Sequence, residues 1–256
     1  MINTQFYDMI FKRKSFHTFK LANVGVMEQK EIEEIFKMYQ AFEPLCPEIK
    51  TKIRIVPAEE TTCKRGQEYC ILLYSEKKDH YLQNIGYLGQ QLDFYLVSKN
   101  IGTLWFGIGK VEEPQYEGLD FVIMVAIAKV PDETKFRKDM FKSKRKPIDE
   151  IWTGEVVPEV TDIVRFAPSA CNTQPWIVEN EGDELKVFRY KKPGKRGIMP
   201  ADKVSYYNQI DMGIFLCFMD LCLTHEGIEY EKSLYLDDGD DAEKTLNAVY
   251  KMRQHL

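Results

Sequence analysis

Two apolar segments of similar length, "GQQLDFYLVSKNIG" and "GIFLCFMDLCLTHEG", run between glycines at almost the same spacing, Gly89 to Gly102 and Gly213 to Gly227. Glycine often closes helices, so the spacing alone is weak evidence. The flanks strengthen it. Strand-like runs "KIRIVPA" and "YCILLYSEK" precede the first helix, and "WIVENEGDELKVFRYKK" precedes the second. From Ile148 the order of elements begins again, which predicts a duplicated chain with repeats at 1–147 and 148–256.

Other elements fit this outline. Residues 5–11 and 29–40 read as helices, the second with Ile32, Ile35, Phe36 and Tyr39 at helical spacing behind an acidic first turn. "DFVIMVAIAKV" reads as a central strand covered on both faces. A further helix is expected to end near Ala167, and "EKSLYLD" is the last strand candidate.

Composition bounds the function. Apolar residues make up 44% of the 256, ample for a buried core, and 35 basic against 40 acidic side chains leave a net charge of −5. Such a chain has no global positive field to hold nucleic acid, so small-molecule partners are expected. The basic tract "KFRKDMFKSKRKP" reads first as a solvated connection. The opening "MINTQFYDMI" does not read as a targeting leader, and the apolar runs are short for a bilayer, so a cytoplasmic protein away from membranes is expected. Six cysteines without a CxxC pair suggest free thiols, with neither disulfides nor a metal site. His80, His225 and His255 are isolated, and Cys171 has no histidine partner nearby in sequence.

Two stretches stand out chemically. In "RFAPSACNTQPWIV", small turn-forming residues from Pro168 to Asn172 lie between a helix end and Trp176, a loop shaped to lie against a flat ligand or a plain helix terminator. "KRKSFHTFK" gathers basic groups around Ser15, and by itself would read as a solvated turn.

Together these stretches resemble the FMN-dependent nitroreductase family: "RKSFHTF" resembles its R-x-S-x-R-x-F opening, "APSACNTQPW" its A-P-S-x-x-N-x-Q-P-W loop, "GTLWFGIG" its G-T-x-W-x-G segment and "KRKP" its basic tail. The first half carries the R-x-S motif and the second the P-S-x-x-N loop. This split is similar to the tandem-repeat, pseudo-dimeric branch, in which one chain imitates the family's homodimer.

The resemblance implies an α+β nitroreductase-like fold, two half-repeats with central mixed sheets and long buried helices, and one intact FMN site per monomeric chain. It implies that Arg13, Lys14, Ser15 and His17 surround the phosphate, with Arg145 and either Lys142 or Lys144 closing the cage. Trp105, Phe106 and Gly107 would pass beside the isoalloxazine. Pro168, Ser169 and Ala170 would lie against the flavin, with Asn172 fixing the loop and Trp176 anchoring the strand behind it. NADH or NADPH would be the reductant and a nitro, quinone or similar conjugated compound the acceptor, with the flavin rather than any side chain carrying the hydride. His17 stands where the family often has Arg or Lys. The alternative is a non-enzymatic flavin or small-ligand binding protein on the same duplicated scaffold.

Overall fold

The computed structural model describes residues 2–192, 196–237 and 242–253; His255 lies outside the described residues. The chain divides into two units, Gln5–Met140 and Phe141–Leu256, the second also taking in Ile2–Thr4. Each is a mixed α+β unit built on an antiparallel sheet and a long buried helix.

In the first unit the stretch expected as one helix over 5–11 is two short turns, a 3-10 turn at Thr4–Phe6 and α1 at Met9–Lys12. A helix of that length has too few internal hydrogen bonds to hold without tertiary support. Helix α2, Gln29–Ala41, begins with a reciprocal capping box between Glu28 and Glu31. It buries Ile35 and Tyr39, whereas Phe36 faces outward.

Strands β1 (Thr51–Pro57), β2 (Tyr69–Ser75), β3 (Ile101–Phe106), β4 (Gln115–Tyr116) and β5 (Leu119–Lys129) form a sheet of order β1-β2-β5-β3, with β4 paired to β5. β2 and β5 are the apolar, β-branched runs, and they occupy the interior positions. Between β2 and β3 runs α3, Tyr81–Ser98, buried from Leu82 through Val97 although it carries Gln83, Asn84, Gln90, Gln91 and Asp93. Gly89 lies inside this helix, not at its start, and the left-handed residue that closes it is Asn100, φ 57°, with Gly102 already in β3.

The second unit holds β6 (Trp152–Gly154), the four-residue helix α4 (Thr161–Val164), β7 (Trp176–Asn180), β8 (Glu184–Tyr190), α5 (Val204–His225), β9 (Tyr230–Leu234) and β10 (Lys244–Met252). Its sheet runs β6-β7-β8-β10-β9, antiparallel except for the β6-β7 pair. "EKSLYLD" is therefore not the final strand. β10 follows it and takes an interior place between β8 and β9, and its alternation is broken by a register shift between Leu246 and Ala248. Helix α5 is buried continuously from Ile210 to Leu223. Gly227, φ 70°, ends it, and Ile228 N–H donates to Leu223 O at 2.9 Å.

Apart from β4 and β6, the strand orders of the two units match. β1-β2-β5-β3 around α3 has the same sequence of pairings as β7-β8-β10-β9 around α5, all antiparallel.

Candidate functional site

In the first unit, the expected phosphate segment alternates inward and outward. Arg13, Phe16 and Phe19 are buried, while Lys14, His17 and Thr18 are exposed and Ser15 is half-buried. The inward aromatics stack at 5.6 Å and enter the core with Leu104 and Met124. The outward groups line a cleft of about 240 Å³ with Leu21, Ala22 and Lys135. Lys14 Nζ donates to the Lys135 carbonyl at 2.9 Å, which brings the chain of Lys135 to the same rim.

Arg13 does not face this cleft as a bare charge. Its Nε donates to Asp93 Oδ2 at 2.6 Å, with both side chains almost fully buried, and its Nη2 donates to Ser15 Oγ at 3.3 Å. Asp93 also receives Thr103 Oγ1 at 2.6 Å and Trp105 Nε1 at 3.2 Å. One carboxylate on α3 thus laces the "RKSF" segment to the "GTLWFG" strand. Backbone pairing reinforces it, through the Ser15 to Thr103 bridge and Phe16 N–H on Thr103 O at 2.9 Å. Trp105, Phe106 and Gly107 are half-buried at the end of β3. Arg137 is also in this charge network, and burial beside the like charge of Arg13 lowers its pKa to about 10.

The second unit carries Arg145 and the Pro168 to Asn172 loop. Pro168, Ser169 and Ala170 are half-buried, while Cys171 and Asn172 are exposed at the tip. Three non-glycine residues here are left-handed: Cys171 at φ 49°, Asn172 at φ 56° and Gln174 at φ 48°. Asn tolerates this region, but for Cys and Gln it costs on the order of 1–3 kcal/mol each and persists only where surroundings enforce it.

The enforcing contacts are numerous. Ser169 Oγ accepts Gln174 N–H at 2.9 Å, Asp211 Oδ1 accepts Ala170 N–H at 2.9 Å, and Asn208 Nδ2 donates to both Thr173 Oγ1 and Asp211 Oδ2 at 2.9 Å. Arg145 donates from Nη1 to Asn172 Oδ1 at 3.2 Å and from Nη2 to the Phe166 carbonyl at 2.9 Å. Gln174 Oε1 accepts Lys146 N–H at 2.8 Å. Behind the loop Trp176 is fully buried and stacked on Phe215, 4.8 Å between ring centroids, as expected of an anchor. Burial raises the Asp211 pKa from 3.8 to about 7, against the lowering effect of the bonds from Ala170 and Asn208.

Sequence reasoning missed Asp93, Asp211 and Asn208, which position the motifs, and gave Gln174, a matched residue of the loop motif, no positioning role. For the two acids the available signal was a carboxylate followed by an apolar helical run, in "QLDFYLV" and "NQIDMGIFL", which buried helices retain only where partners satisfy it.

This α+β architecture is that of the nitroreductase-like proteins. A solved structure titled a "putative nitroreductase" from Thermotoga maritima matches with a TM-score of 0.65 at 18% identity, covering 96% of this chain and 93% of that one. A family model described as "Putative TM nitroreductase" matches residues 5–223, and the chain belongs to that family. Two other solved structures overlap less. A nitroreductase family protein from Clostridium novyi NT matches with a TM-score of 0.41 at 15% identity over 51% of this chain and 87% of that one. A "putative NADH dehydrogenase/NAD(P)H nitroreductase" from Parabacteroides distasonis matches with a TM-score of 0.42 at 11% identity over 59% and 99%. No curated protein matches the chain. Among the described residues no helix is long and apolar enough to cross a membrane.

Proposed function

We propose that the chain is an FMN-dependent NAD(P)H oxidoreductase that reduces nitro, quinone or similar small conjugated acceptors by ping-pong hydride transfer. The observation that carries this reading is the cationic cleft of the first unit, in a chain of a nitroreductase family. Its donor set suits a phosphomonoester: ammonium groups of Lys14 and Lys135, the His17 imidazole, and hydroxyls of Ser15 and Thr18. Because Asp93 already balances Arg13, the surplus charge at the rim belongs to the two lysines.

Bound FMN would supply the redox chemistry, hydride transfer between NADH or NADPH and the acceptor. The chain's own residues position it. Lys14, Ser15, His17 and Lys135 would hold the phosphate, and Arg13 fixes the segment that bears the first three. Trp105, Phe106 and Gly107 would form the strand end beside the ring; within the second unit, the loop of Pro168, Ser169 and Ala170 is fixed by Asp211, Asn172 and Arg145. No side chain is assigned the hydride step.

We infer further that the two units descend from one duplicated half, so that a single cytoplasmic chain is the working unit. Their matching strand order supports this. Purified protein incubated with FMN and passed through gel filtration should carry flavin at close to one per chain. It should then oxidise NADH or NADPH with a quinone or nitroarene well above the rate of free FMN. A colourless protein, or turnover no better than free FMN, overturns the assignment. Light scattering that shows an obligate dimer sharing its flavin overturns the single-chain unit.

A further inference from the structure

The hairpin of β1 and β2 holds two buried thiols, one in its loop and one in β2, that the proposed reaction does not use. Pro57 and Tyr69 pair at its foot, and the loop returns through Gly66, φ 80°. Cys63 in the loop and Cys70 in β2 are both fully buried in one core cluster, and Gln67 Nε2 lies within hydrogen-bond distance of both the Cys63 carbonyl and Cys70 Sγ. Thr61 Oγ1 lies 3.4 Å from Cys70 Sγ, and Gln67 Nε2 donates to the same sulfur at 3.6 Å. Gln67 also clamps the loop, donating to Cys63 O at 2.5 Å and accepting Arg65 N–H at 2.9 Å. Thr62, Lys64, Arg65 and Gly66 are exposed directly above the pair.

We propose that Cys63 and Cys70 are a redox dithiol, closed by hydroperoxides into an intramolecular disulfide and reopened by thiols. Cys70, whose sulfur receives Gln67 Nε2 and lies beside Thr61 Oγ1, is the attacking sulfur. The pairing biases the sulfurs in opposite directions: the Cys63 thiol lowers the Cys70 pKa, and Cys70 together with burial raises that of Cys63. The Cys70 thiolate attacks the peroxide O–O bond, forming a sulfenic acid and releasing an alcohol or water. Cys63 then attacks Cys70 Sγ, forming the S–S bond and expelling water. In sum two thiols and a hydroperoxide give one disulfide, one alcohol or water, and one water. Oxidant enters through local opening of the exposed 62–66 segment. This proposal stands apart from the flavin assignment, although Arg65 O accepts Phe19 N–H at 2.8 Å and so ties the loop to the segment beside the cleft.

The test uses the folded full chain carrying Cys171→Ser, which removes the exposed thiol. After hydrogen peroxide, alkylation and trypsin without reductant, cleavage at Lys64 and Arg65 separates the two cysteines. Peptides 55–64 and 66–77 are expected joined, two hydrogens lighter than their sum, and separated again by dithiothreitol. Recovery of both peptides alkylated, their joining only after prior unfolding, or oxidation to sulfonic acid without a cross-link overturns the proposal. In Cys63→Ser, dimedone should trap a sulfenic acid at Cys70; trapping at Cys63 in Cys70→Ser, and none at Cys70, overturns the assignment of the attacking sulfur.

Discussion

Asp211, buried in α5, holds Ala170 by its backbone N–H at 2.9 Å and so fixes a segment of the second unit whose backbone is left-handed at three nearby residues. The acid and the loop are 41 positions apart in sequence. Their bond makes the loop's geometry depend on a group that titrates near neutrality.

The folded pKa of Asp211, about 7, lies above its ordinary 3.8, so between those values the folded state keeps a proton that the unfolded chain has released. The group's contribution to stability is therefore full below about pH 4, declines as pH rises, and is lost above about pH 7. Asp211→Asn cannot ionise, and Asn208 Oδ1, buried without a partner, can accept its amide. Urea denaturation should show the variant gaining on the parent by a few kcal/mol between pH 4 and pH 8. Parallel stability profiles for the two proteins would refute the assignment.

Asp93→Asn should destabilise the first unit by about 3–5 kcal/mol, because the Arg13 guanidinium is then buried without a counter-charge. The same reasoning makes Arg13→Ala a poor probe of cofactor binding, since it strands the Asp93 charge and disturbs the fold as well. Replacing both by leucine should recover much of the loss in chemical denaturation. A double variant as unstable as the worse single would mean that the pair's other bonds, to Thr103 and Trp105, dominate.

Lys14 and Lys135 provide the cleaner probe of the cleft. Both are rim groups, so Lys14→Ala or Lys135→Ala should shift stability by no more than about 0.5 kcal/mol. Loss of one charge-assisted bond to phosphate should weaken FMN binding about 10- to 100-fold. Riboflavin, which lacks the phosphate, should bind parent and variants alike. Equal weakening of both ligands in a fluorescence titration would place the phosphate elsewhere.

Gly89→Ala tests the packing behind the "GTLWFG" strand. A Cβ at Gly89 would meet Trp105 Cη2 at 2.4 Å, so the indole must move and its bond to Asp93 must lengthen or break. A loss of about 1–3 kcal/mol with red-shifted tryptophan emission is expected. An unchanged spectrum and midpoint would show that the helix accommodates the methyl without moving Trp105.

The interior strands β2 and β5 were legible as short, nearly uninterrupted apolar runs, and α3 and α5 because their apolar residues recur over helix length, and such surface has few other ways to leave water. β10 was not, because its bulge breaks the alternation by which a strand is read and its polar Asn247 is buried. The 5–11 stretch looked helical by local preference, yet only tertiary contacts decide the state of so short a segment.

For the site, the residues in "RKSFHTF", "GTLWFGIG" and "APSACNTQPW" declare themselves in sequence, since cations, close-packing glycines and turn formers are local chemical properties. The sequence by itself determined the family, the mixed architecture and the candidate contact residues. Only the tertiary structure decided that Arg13 turns inward to Asp93 while Lys14 and His17 turn out, and that Asp211 holds Ala170. The reason is that a buried charge or an unpaired N–H must find its partner in space. The partners here, 80 and 41 positions away, leave no mark at the motif itself.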